Sequence, residues 1–81
     1  MDDRQLLQRI QELVDTEHRL REQLAEGRIE EAEERERLQR AEEELDQAWD
    51  LLRQRRARKE AGLNPDDAGA RPVPEVEGYD Q

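Results

Sequence analysis

Leu6, Ile10, Leu13, Glu17, Leu20 and Leu24 follow one another at alternating steps of four and three. So, read backwards, do Leu52, Ala48, Leu45, Ala41, Leu38 and Glu34. Paired in that order, the two residue numbers always sum to 58. A constant sum is the mark of an antiparallel pairing, and alternating steps of this kind give the period of about 3.5 residues of a coiled-coil seam. Only two helices folded back around Gly27 bring the lists face to face. The predicted fold is therefore all-α, an antiparallel two-helix coiled-coil hairpin over residues 1–63 followed by an extended or disordered C-terminal tail over 64–81.

Composition alone argues the other way. Apolar residues make up 32% of the chain and charged residues 46%, which is the balance of a disordered segment unless the few apolar side chains are placed regularly. Here they are. The first helix is expected over 3–25, with Asp2 or Asp3 accepting backbone N–H bonds at its start and Gly27 closing it in a left-handed conformation. A turn takes 26–29. The second helix is expected over 30–61: Glu30, Glu31, Glu33 and Glu34 lie at the positive end of its dipole, and Arg53, Arg55, Arg56, Arg58 and Lys59 at the negative end. Gly62, Leu63, Asn64 and Pro65 read as its stop. The seam residues are Leu6, Ile10, Leu13, Leu20, Leu38, Leu45 and Leu52. Outside the seam, acid-before-base pairs four apart (Asp15 with Arg19, Glu17 with Arg21, Glu31 with Arg35, Glu33 with Arg37, Glu36 with Arg40) are each worth about 0.2–0.5 kcal/mol of helix.

In the tail, Pro65, Pro72, Pro74, Gly69 and Gly78 oppose helix and long strand. Val73, Val76 and Tyr79 are spaced by three, as one side of a polyproline-like segment would be. The tail is read as a solvated terminus, with docking on the hairpin or on a partner as the alternative.

Leu7 and Val14 fall at heptad position e of the first helix and Trp49 at e of the second, and in an antiparallel pair these positions share a flank. The expected interaction patch is Leu7, Val14 and Trp49, centred on the tryptophan. A buried tryptophan removes about 150–250 Å² from water, on the order of 4–6 kcal/mol. A chain of 81 residues has little apolar surface to spare. Three covers fit the patch: a second copy, the tail, or an unidentified protein partner. The second copy is preferred, since two hairpins packed flank to flank make a four-helix bundle with a second buried layer.

Chemistry finds few footholds. The chain has no Ser and no Cys, and a single Thr16, His18 and Tyr79, so neither the usual nucleophilic triads nor a thiolate metal site nor a disulfide can be assembled. No catalytic residue, metal or cofactor is expected. Glu17 is read as a register-setting polar residue of the seam that reaches toward Arg21, with His18 outward at b. The cluster Arg53, Arg55, Arg56, Arg58 and Lys59 is read as dipole compensation plus ion pairs from Arg55 and Arg56 to Asp2 and Asp3. The alternative is a nucleic-acid- or polymerase-associated factor that uses this end. A net charge of −9 and the absence of aromatic neighbours for base stacking weigh against it. Apolar runs never exceed two residues, so no membrane span is expected and a cytoplasmic setting is the default.

The stretches Leu13 to Arg21, Leu45 to Ala57 and Arg71 to Tyr79 resemble a family of roughly eighty-residue actinobacterial helical-hairpin proteins, a domain of unknown function. The block Leu45-Asp46-Gln47-Ala48-Trp49-Asp50-Leu51-Leu52-Arg53-Gln54-Arg55-Arg56 carries the likeness. Family members often have Cys at the position of Ala48. The resemblance implies a bacterial cytoplasmic setting and supplies no mechanism. The expected role is thus a small non-enzymatic protein–protein interaction or regulatory module, self-associating as a homodimer.

Overall fold

The structure, a computed structural model, describes residues 1–69. Helix α1 spans Asp3–Ala25 and helix α2 spans Glu31–Glu60; a 3₁₀ turn follows at Pro65–Asp67. The two helices pack against each other, and there is no strand among the described residues.

Each helix end has its own device. At the start of α1 the Gln5 amide N–H donates to Asp2 Oδ1 at 2.8 Å, and the Asp2 N–H donates back to Gln5 Oε1 at 2.9 Å. This reciprocal capping box satisfies two donors that a helix start leaves over. At its end Gly27 takes φ +72°, so that its N–H reaches the Leu24 carbonyl at 3.0 Å and the Arg28 N–H reaches Gln23 at 2.8 Å. That geometry turns the chain back, and a side chain at Gly27 would strain it. The same pair of bonds closes α2, with Gly62 at φ +74°.

Two boundaries differ from the sequence reading. Glu30 and Ala61 are the caps of α2 instead of its first and last turns, Glu30 because its backbone is extended at ψ 154°. Nor is the segment after Asn64 wholly extended. Pro65 sits at the first position of the 3₁₀ turn, where its missing N–H costs nothing. Asn64 Oδ1 accepts from the Asp66 amide at 3.0 Å, and the Ala68 N–H closes on Pro65 O at 3.1 Å. Val73, Val76 and Tyr79 lie outside the described residues.

The core is the seam. Leu6, Ile10, Leu13 and Leu20 of α1 are buried with Ala41, Ala48 and Leu52 of α2. Leu38 and Leu45, expected to share the seam equally, are only half-buried. The small side chains of Ala41 and Ala48 leave the space that the α1 leucines fill, so burial concentrates on α1 and the α2 leucines keep an edge in water. Full burial of a leucine is worth about 1.5–3 kcal/mol. The cross-helix pair Arg9–Glu44 at 2.7 Å adds to this on one flank.

On the exposed faces, Arg21 meets Glu17 at 3.4 Å, Arg35 meets Glu31 at 3.5 Å, and Arg37 and Arg40 pair with Glu33 and Glu36. The Asp15–Arg19 pair does not form. Gln11 donates to Asp15 instead, at 3.0 Å.

Candidate functional site

The seam ends in charge. One step before Leu6 stands Asp3 and one step after Leu52 stands Arg55, and their numbers again sum to 58. Arg55 is 5% exposed; its Nε donates to Asp3 Oδ1 at 2.7 Å. Its Nη1 donates to Asp66 Oδ1 at 2.9 Å and to the Pro65 carbonyl at 3.2 Å. Lys59 Nζ holds the other oxygen of Asp3 at 2.7 Å. Arg58 Nε donates to the Asn64 carbonyl at 2.7 Å, with Asp67 at 3.6 Å from its guanidinium. One arginine therefore ties together the start of α1, the last turns of α2 and the 3₁₀ turn. The hydrogen bonds from Lys59 first and Arg55 second hold the Asp3 carboxyl below the usual carboxylate range, and Asp3 and then Asp66 raise the Arg55 guanidinium.

This clasp accounts for most of the basic cluster. Arg55, Arg58 and Lys59 are turned onto acids and carbonyls of the same chain, and Arg53 approaches Asp50 at 4.0 Å. The expected Arg55–Asp3 contact forms. The expected partnership of Arg56 with the start of α1 does not: Arg56 is exposed and makes no ion pair among the described residues.

Asp50 and Gln54 carry a further polar contact that periodicity passes over. Asp50 lies at heptad position f, facing away from α1, yet it is 0% exposed. Gln54 Nε2 donates to Asp50 Oδ2 at 2.8 Å and to the Gly69 carbonyl at 2.9 Å. The only trace in the sequence is the spacing of four between the two residues. That spacing is common in surface helices and gave no reason to single them out.

Four large apolar side chains are exposed among the described residues: Met1 and Leu63 near the two chain ends, and Leu7 and Trp49 on the e flank. Trp49 is 41% exposed and Leu7 45%, while Val14 is half-buried. By the register of the seam, Trp49 stands between Leu7 and Val14 in height. On the opposite flank a groove floored by Leu13, Leu20 and Ala41 is rimmed by Arg9, Arg37 and Arg40, each already paired with a glutamate. His18 is exposed, and no group of three or more His, Asp or Glu able to hold a metal occurs among the described residues. Glu17 does reach Arg21. No helix among the described residues is long and apolar enough to cross a membrane.

Residues 2–81 match the family described as Protein of unknown function (DUF2630). The chain belongs to this family. With all but one residue matched, the DUF2630 unit includes the hairpin, the clasp and the segment beyond. No curated protein matches the chain, and no solved structure matches it.

Proposed function

We propose that this DUF2630 chain is a non-enzymatic protein–protein interaction or regulatory module that self-associates through the Leu7–Val14–Trp49 flank, as a homodimer forming a four-helix bundle. The observation that carries the reading is the exposure of Trp49 and Leu7, 41% and 45%, on the e flank of a hairpin whose single seam buries Leu6, Ile10, Leu13, Leu20 and Leu52. Large apolar side chains grouped on one face mark a contact more often than single ones do. The setting proposed, the cytoplasm of an actinobacterium, rests on the resemblance noted from the sequence.

The nucleic-acid alternative draws less support, because Arg55, Arg58 and Lys59 are held by acids of the same chain. A phosphate backbone would have to displace them.

Sedimentation combined with tryptophan emission tests the reading. The exposed 41% of Trp49 is roughly 100 Å², or about 2.5 kcal/mol per copy and about 5 kcal/mol for the two in a dimer. Trp49→Ala should accordingly weaken association a hundredfold or more. A wild type that stays monomeric with water-like emission at high concentration refutes the reading. Binding to DNA or RNA that falls steeply with salt would favour the alternative.

A further inference from the structure

Two charges with no ion-pair partner among the described residues flank Trp49 symmetrically. Glu42 lies one heptad before it and Arg56 one heptad after it, all three at position e. Both are exposed, and neither makes an ion pair among the described residues. The α2 arginines near them are otherwise engaged: Arg40 with Glu36, Arg53 near Asp50, Arg55 with Asp3. Within the hairpin, the e positions of α1 are Leu7, Val14 and Arg21, none of them an acid, and Arg56 lies level with residue 2, beyond the first of these.

We infer that the partner on this flank is a second copy of the chain, related by a two-fold axis that crosses α2 at the level of Trp49 and runs perpendicular to the helices. The inference rests on the self-association proposed above. Such an axis sets α2 antiparallel to the partner's α2. Residues equally far on either side of Trp49 then face one another, so Glu42 of each copy meets Arg56 of the other. Each lies seven residues from the axis, about 10 Å along the helix. Helices about 8–10 Å apart and crossing at about 20° leave this gap within reach of the two side chains. Leu7 and Val14 of the two copies then alternate beside the tryptophans.

The other two-fold arrangement, with its axis along the helices, pairs α2 with the partner's α1. It sets Glu42 level with residue 16 of the partner's α1, between Val14 and an Arg21 that already holds Glu17, and sets Arg56 level with residue 2, beyond Leu7, where no e position offers an acid. The antiparallel α2 arrangement is the one that satisfies both charges. An isologous contact of this kind closes at two copies.

Charge reversal tests it. Glu42→Arg and Arg56→Glu should each weaken the dimer tenfold or more in sedimentation equilibrium at low salt, and the double variant E42R/R56E should return to within about threefold of wild type. Circular dichroism of each variant checks that the helices persist. Should a variant lose helix, the salt dependence of the wild-type dimer serves instead, and the dimer must loosen as ionic strength rises. A wild-type dimer indifferent to these reversals and to salt overturns this geometry while leaving self-association standing. Rescue of Glu42→Arg by Arg21→Glu instead of by Arg56→Glu overturns it in favour of the other axis. A wild type that remains monomeric removes both proposals, and leaves the flank to the rest of the chain or to a different protein.

Discussion

Leu52 is 1% exposed and lies beside the clasp, whereas Leu38, at the same heptad position two turns of the pattern away, is half-buried near the chain reversal. The two leucines should therefore respond differently to the same truncation. Leu52→Ala removes three carbons from a closed site, about 2.4 kcal/mol of transfer free energy at about 0.8 kcal/mol per carbon. The cavity term brings the expected loss to about 3–5 kcal/mol. Leu38→Ala removes carbons already partly in water, beside a seam that can relax, and should cost about 1–1.5 kcal/mol. A chain of 81 residues has a total stability of roughly 4–12 kcal/mol, so the first change consumes a large fraction of it and the second does not. The assay is urea unfolding followed by circular dichroism, at one fixed protein concentration so that association contributes equally to every sample. Equal losses at Leu52 and Leu38, or a larger loss at Leu38, would refute the difference in burial between the two sites.

Two further outcomes follow from the same geometry. Because Asp3 has a lower pKa folded than unfolded, the unfolded chain binds more protons in that range; the stability Asp3 contributes is full above the ordinary carboxylate value of about 3.9 and fades as pH falls through its own lower value. Asp3→Asn should thus be less stable than wild type at neutral pH and approach it in acid, and a stability difference independent of pH would contradict the clasp. Ala48 is 8% exposed in the seam, so Ala48→Leu should overpack it by about 1–3 kcal/mol in the same unfolding assay, and a variant as stable as wild type would show that the seam has room to spare at this position.

What could be read from the residues alone was set by periodicity. The steps of four and three require a helical seam and the constant sum requires a reversal, because in a hairpin the antiparallel register follows from the turn. Gly27 and Gly62 announced both helix ends, since a left-handed residue is what the closing bonds need. The same logic put Leu7, Val14 and Trp49 on one flank. It could not apportion burial within the seam, because burial depends on the volume across the gap as much as on the residue: with small Ala41 and Ala48 alternating along α2, the α1 leucines are buried, and Leu38 and Leu45 are left with an exposed edge.

Pattern also treats a charge as an outside residue, and here tertiary structure decided otherwise. Arg55 and Asp3 continue the seam as an ion pair because the hairpin brings a helix start against a helix end and the 3₁₀ turn then covers them. Asp50 is enclosed although its heptad position points away from the seam, which no helical period could foretell. Local preference and period propagate along one chain and so are written in it; the satisfaction of a buried charge depends on residues more than fifty positions away, and exists only once the fold has brought them together.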